Sequence, residues 1–252
     1  MCLIALAWQV HPDFPLLLAA NRDEFYARPT APARYWDEAP ELLAGRDLKD
    51  GGSWMGVTRQ GRFAALTNVR EPGAASGHRS RGLLVAEFLK NGCAPMDYLK
   101  QVAAQAGDYG GFNLLVGDGH ELACYNNRHG EPFVLSPGIH GLSNKQLDTP
   151  WPKVRKLKAG LAAQLGAGAP ASDLLALLAD DGAPPDAELP DTGVGLAMER
   201  MLAPCFIRSP VYGTRASTVL RIGGGRVEFV EQSFVQGQPG EYAAFAFDLE
   251  PA

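Results

Sequence analysis

From Leu3 to Val10 the residues are nearly all apolar, and after His11-Pro12-Asp13 a second apolar run, Leu16 to Ala20, follows at once. Two short apolar runs separated by a turn signal predict a buried β-hairpin. The second strand ends in Asn21-Arg22-Asp23-Glu24. Antiparallel pairing delivers these polar residues to the end of the hairpin that carries Cys2. The Pro- and Ala-rich stretch from Pro29 to Pro40 reads as a loop. Asp50 to Val57 then leads into another strand, Arg59-Gln60-Gly61-Arg62 supplies a turn, and Phe63 to Thr67 runs back to Asn68.

Helical patterns occupy the middle of the chain. Ser80 is placed to cap a helix running to about Lys90, with Leu83, Leu84, Phe88 and Leu89 on its apolar face, and Asp97 to cap another through about Ala106. Two strands, Phe112 to Val116 and Leu122 to Asn126, flank a Gly-Asp-Gly-His turn. Pro150 and Pro152 open a helix with Lys153 to Leu165 as its body, and Ser172-Asp173 starts the next. The stretch from Gly182 to Asp191, with three prolines, reads as an exposed loop, after which Gly213 to Ile222, Arg226 to Val230 and Tyr242 to Phe247 read as strands. No repeat or linker interrupts this order. A single α+β domain over residues 1–252 is expected, with stacked sheets and helices outside.

Composition narrows the function classes. With 46% hydrophobic residues in 252, the chain can bury a sizeable core. A formal charge of -5 and no dense Lys/Arg run argue against nucleic-acid binding. No stretch approaches the roughly 20 apolar residues of a membrane span, and a secretory signal pattern is missing. The expectation is a cytoplasmic protein without stable membrane insertion, acting on a small molecule. Cys2, Cys93, Cys124 and Cys205 lie far apart without a C-x-x-C pair, and the five histidines show no metal-ligand spacing. Gly51-Gly52 and Gly223-Gly224-Gly225 lack phosphate-loop spacing.

The candidate chemistry centres on Cys2. If Met1 is removed, Cys2 carries a free α-amine beside its own thiol, so nucleophile and base share one residue. The amine titrates near roughly 7.7 to 8.0 and a free thiol near about 8.5, close enough for one to serve the other. Arg22 can supply a positive environment and Asp23 can orient the amine; the plainer alternative is a solvated ion pair or a turn. Asn68 and Asn144 are candidate amide donors to an oxyanion, or turn residues. Arg215, in Gly213-Thr214-Arg215, can bind a carboxylate or form a surface pair. A binding protein would need apolar walls instead, with Trp8, Trp54, Met55 and Phe112 as candidates.

Beyond these residues, Met1-Cys2-Leu3, Asn21-Arg22-Asp23-Glu24, Gly51-Gly52-Ser53-Trp54, Leu66-Thr67-Asn68-Val69-Arg70, Ser80-Arg81-Gly82, Gly111-Phe112-Asn113, Gly141-Leu142-Ser143-Asn144, Leu147 to Lys153 and Gly213-Thr214-Arg215 together resemble the NRDE family, also called the transport and Golgi organisation family. That family resembles N-terminal-nucleophile (Ntn) hydrolases of the penicillin and bile-salt amidase type. The resemblance implies a four-layer αββα sandwich and cleavage of a non-peptide amide without a cofactor. It implies Cys2 as nucleophile, Arg22 and Asp23 beside it, Asn68 and Asn144 in the oxyanion region, and Arg215 completing the site. The amidases separate their Arg and Asp, whereas Arg22 and Asp23 are adjacent. The family's link to haem mobilisation and acyl-CoA or lipid handling implies the rival, a haem or acyl-CoA carrier on a hydrolase scaffold.

Overall fold

The computed structural model describes residues 2–73, 77–166 and 168–250. The first hairpin forms as the apolar runs predict: β1 (Cys2–Trp8) pairs with β2 (Leu16–Phe25) from Cys2 opposite Arg22 to Trp8 opposite Leu16. β2 does not stop at Ala20. β11 (Tyr212–Gly223) pairs along its other edge and carries Asn21 to Glu24 as strand residues, with Asp23 opposite Thr214. With β10 (Gly138–Leu142), β12 (Arg226–Val235) and β13 (Gln238–Asp248) these form a six-stranded antiparallel sheet in the order β10-β1-β2-β11-β12-β13.

The second sheet runs in sequence order through β3 (Thr30–Trp36), β4 (Ala39–Asp47), β5 (Met55–Thr58), β6 (Phe63–Asn68), β7 (Phe112–Gly117), β8 (Leu122–Asn126) and β9 (Phe133–Val134). β3 and the start of β4 replace the loop expected over Pro29 to Pro40. Pro32 is tolerated because β3 is an edge strand, and its pairing with β4 shifts register between Ala31 and Arg34.

Helix starts differ in detail. Arg81, not Ser80, sits at the N-cap of α1 (Gly82–Lys90), and α2 (Pro95–Ala104) begins at a proline whose missing N–H needs no partner; neither has a side-chain cap. Asp97 falls in the first turn of α2, where its charge opposes the helix dipole favourably. α3 (Pro152–Leu165) and α4 (Ala171–Leu178) start within a residue of expectation, whereas α5 (Leu196–Leu202), β9 and β10 carry no clear sequence pattern.

Alternation along the strands builds the layers. Ile4, Leu6 and Trp8 of β1 pack with Met55, Val57 and Leu115 between the two sheets. Leu3, Ala5 and Ala7 face the other way, onto Val154, Leu157 and Leu161 of α3 and Leu174 and Leu178 of α4. The outer face of the second sheet packs Leu42, Ala64 and Leu114 against Leu84, Phe88 and Leu99 of α1 and α2. The result is a four-layer αββα sandwich. Because both faces of β1 are buried, its sequence reads as an unbroken apolar run. Among the described residues no helix is long and apolar enough to cross a membrane.

Candidate active site

Cys2 and Arg22 are directly opposite in the β1–β2 ladder, so their side chains share a face, the one toward the gap between the sheets. A cleft of about 530 Å³ lies at this end, lined by Cys2, Arg22, Asp23, Trp54 and Asn68 together with the loop that carries Arg79 and Arg81. The Arg22 guanidinium lies over the Trp54 ring, 4.2 Å from its centroid. Arg22 is only 6% exposed, and its Nη1 has no hydrogen-bond partner among the described residues.

The alternate residues of β2 face the helical layer. Asn21 donates to the carbonyls of Leu178 and Cys205, both at 2.8 Å, and accepts from Ser217 Oγ at 2.6 Å. Asp23, 1% exposed, accepts from Thr214 Oγ1 at 2.8 Å, and the strongest charge acting on it is Lys153. Lys153 is itself buried, donating to the Leu202 carbonyl at 2.9 Å, and Asp23 is its strongest opposite charge. Beside these two charges, which lie beyond salt-bridge distance of each other, Arg70 and Glu199 form a buried ion pair at 2.6 Å. Lys153 is a site residue that the sequence reading passed over. Its spacing of four and eight from Leu157 and Leu161 places it on the apolar face of α3, a signal that marks a buried cation.

Asn68 ends β6 and lines the cleft, and its side-chain amide makes no hydrogen bond to the described residues. Asn144 lies a layer behind: it is fully buried and donates to the Asn68 carbonyl at 2.9 Å, fixing the strand end that presents Asn68. Thr67 Oγ1 donates to the Ser143 carbonyl at 2.6 Å, Asn113 donates to Thr67 Oγ1, and Ser143 Oγ donates to the Cys2 carbonyl at 3.1 Å. This network joins the second sheet to the nucleophile strand. Arg215 is not brought to the cleft. It is the extra residue where pairing shifts between Thr214 and Ala216, and the bulge turns its guanidinium toward the carbonyls of Phe25, Tyr26 and Arg28. There it borders a second cavity of about 240 Å³, which it shares with Arg22, Trp54 and Glu231. Of the candidate apolar walls, Trp54 alone lines the cleft; Trp8 and Met55 belong to the inter-sheet core and Phe112 to the core under α1 and α2.

Burial pushes the Cys2 thiol above the ordinary cysteine value and Asp23 raises it further, while Arg22 and a hydrogen bond from the Asp23 backbone pull it down. Burial wins, so the resting thiol keeps its proton and a base must take it. Burial also lowers Arg22 and raises Asp23. Met1, whose removal would supply that base, lies outside the described residues. The arrangement offers a nucleophile, a cation and a free amide donor around one small-molecule cleft.

The model of the family Transport and Golgi organisation 2 matches residues 1–236. The bovine Transport and Golgi organization protein 2 homolog is 38% identical over 269 residues, covering 95% of each chain, and the human homolog is 38% identical over 93% of this chain and 94% of its own. Among solved structures, the Caenorhabditis elegans ortholog of N-acylethanolamine-hydrolyzing acid amidase superposes with a TM-score of 0.53 at 11% identity, over 87% of this chain and 92% of that one. The C2A mutant of conjugated bile acid hydrolase from Clostridium perfringens gives 0.51 at 9% identity, over 98% and 92%. The two superpositions show that the chain shares the sandwich fold of these enzymes.

Proposed function

The chain belongs to the Transport and Golgi organisation 2 family, and we propose that it is a cysteine-nucleophile hydrolase of a small non-peptide amide. The observation that carries this reading is Cys2 opposite Arg22 at the cleft, with the unengaged amide of Asn68 beside them. With Met1 removed, the α-amine of Cys2 takes the thiol proton and sulfur attacks the amide carbonyl. The oxyanion forms against Asn68, the C–N bond breaks and the amine leaves with the proton. Water then cleaves the thioester, so that amide and water become carboxylic acid and amine and the thiol is restored. Asp23, held by the hydroxyl of Thr214 and stabilised through space by the charge of Lys153, orients the amine.

The volume supports a small substrate, since ligand clefts run from roughly 300 to 1,000 Å³. The apolar side chains lining the cleft, Trp54, Leu66 and Val69, offer little wall for a porphyrin or a long acyl chain, which supports haem or acyl-CoA carriage less well.

Intact mass after brief exposure to a neutral thiol electrophile tests the hydrolase. Cys124 and Cys205 are internal controls, buried with thiols pushed up to about 12 and about 11. A mature chain starting at Cys2, with one fast adduct that Cys2→Ala abolishes, is the expected result. Labelling confined to the half-buried Cys93, with Met1 retained, overturns the hydrolase and leaves carriage, for which saturable binding of haem or long-chain acyl-CoA is the corresponding measurement.

A further inference from the structure

Charges around the cleft fall into two groups. Arg28 is held by Asp47 and Asp50 at 2.5 and 2.6 Å, Arg79 by Glu87 at 3.3 Å, and Glu71 by Arg128 at 2.9 Å. Arg81 lines the same cleft half-buried and has no carboxylate within ion-pair distance among the described residues. One arm, Nη1, donates to the Gly111 carbonyl at 3.0 Å. Glu24, the acid acting most strongly on Arg81, stays beyond ion-pair reach, and its Oε1 accepts from the Phe25 N–H. Arg22, across the cleft, likewise forms no salt bridge among the described residues, and its Nη1 has no hydrogen-bond partner there.

The main chain places Arg81. Gly52 and Gly82 approach so closely that a Cβ on Gly52 would fall 2.3 Å from the Gly82 carbonyl carbon, and the Ser53 N–H donates to the Gly82 carbonyl at 3.0 Å. The loop before α1 is therefore clamped to the loop before β5, and Arg81 at the N-cap is presented by backbone rather than by a pairing of its own side chain. A pinned guanidinium fork with an unused arm, in a cleft where Arg28 and Arg79 are already paired, suits a planar two-oxygen anion. Buried Arg22 and half-buried Arg81, on opposite walls, are the lining arginines without a salt bridge among the described residues, and Glu24, which also lines the cleft, is within ion-pair distance of neither.

We infer that the substrate of this cleft is an amide bearing a carboxylate, and that Arg81 binds that carboxylate while the scissile carbonyl lies over Cys2. The inference rests on Cys2 being the nucleophile, and it adds the substrate class. A free carboxylate on the substrate takes the arm of Arg81 that no carboxylate of the fold reaches, whereas a neutral amide of the same size leaves that arm unpaired.

Matched alkylating agents test this at the site itself. Iodoacetate and iodoacetamide differ by a carboxylate against a neutral amide, and the ratio of their rates at Cys2, followed by intact mass, reads the local preference for an anion. Arg81→Gln is expected to lower the iodoacetate-to-iodoacetamide ratio by about tenfold, as removal of a focused charge does. Arg79→Gln, which removes a guanidinium already paired with Glu87, is expected to change it by less than about twofold. An equal ratio in wild type and Arg81→Gln overturns the inference while Cys2 labelling still stands. Thermal shifts of Cys2→Ala with N-acetylglycine and its neutral amide separate the other case. Stabilisation by the carboxylate alone, lost when Arg81→Gln is added, upholds the recognition even if Cys2 proves inert; no difference between the two ligands overturns it.

Discussion

Asn21 and Asp23 point to one side of β2 and Arg22 and Glu24 to the other, and the two sides treat buried charge in opposite ways. On the helical side the buried charges of the described residues face opposite ones: Asp23 feels Lys153 through space, and Arg70 is salt-bridged to Glu199. Asn21 spends both ends of its amide on fixed partners. On the inter-sheet side Arg22 is buried over Trp54 without a salt bridge among the described residues, and the nearby buried carboxyl, Glu231, is pushed up to about 7 by burial, so that it is half neutral near pH 7 and largely neutral below it. A buried ion with its partner removed is destabilised by about 3–5 kcal/mol, whereas replacing both members of a pair is far milder. The helical side is therefore a clamp that positions the hairpin, and the inter-sheet side leaves Arg22 with a donor arm that no described residue takes.

The comparison breaks most easily at Lys153. Lys153→Met leaves Asp23 buried without its main counter-charge and the Leu202 carbonyl without its donor, so unfolding free energy in urea is expected to fall by about 3–5 kcal/mol. Adding Asp23→Asn removes the stranded carboxylate and is expected to recover part of the loss. Strict additivity of the two would show that they do not act as a pair.

Glu231 sharpens the opposite side. Its folded value, about 7, lies above the ordinary glutamate value of 4.5, so its contribution to stability is full below about pH 4.5 and is lost as pH rises through about 7. Gln at this position accepts the Ala33 N–H as Glu does and turns its amide N–H toward Thr218 Oγ1. Glu231→Gln is therefore expected to match wild type near about pH 4.5 and to exceed it near about pH 8 by on the order of 3 kcal/mol. Thermal melts at the two pH values read this directly, at about 2–4 °C per kcal/mol for a chain of this size. An equal gain at both would mean that ionisation of Glu231 is not the cause.

The sandwich was legible wherever local pattern and tertiary burial agree, as in the β1–β2 hairpin and in the helix opened by Pro152. It was not legible at β3, whose proline looks like loop until its place at a sheet edge is known, or at β10, whose five residues with two glycines are strands only because β1 needs a neighbour. The site divides the same way. Position in a ladder is local enough that Cys2 and Arg22 follow from the hairpin. Asn144 and Arg215 needed tertiary information, because one acts through the Asn68 carbonyl and the other is re-aimed by a bulge that no composition announces. Lys153 and Arg81 were overlooked although each sits in a quoted motif, since the significance of a lysine or arginine lies in which carboxylates surround it.

The smallest expected change in stability is the most informative. Arg22→Gln removes a cation–π contact over Trp54, worth about 0.5–2 kcal/mol, but also removes a buried charge that lacks a partner, so the two effects offset. Stability is expected to move by about 1 kcal/mol or less, in contrast to Lys153→Met. Cys2 should register the loss, because Arg22 holds the thiol pKa down against burial. Without it the pKa climbs further, the thiolate fraction at about pH 8 drops, and the pH–rate profile for alkylation of Cys2 moves to higher pH. If Arg22→Gln instead unfolds the chain as readily as Lys153→Met, Arg22 belongs to the clamp after all. If stability holds and the profile does not move, Arg22 acts on the ligand rather than on the thiol, and Arg81→Gln with iodoacetate becomes the measurement that separates the two arginines.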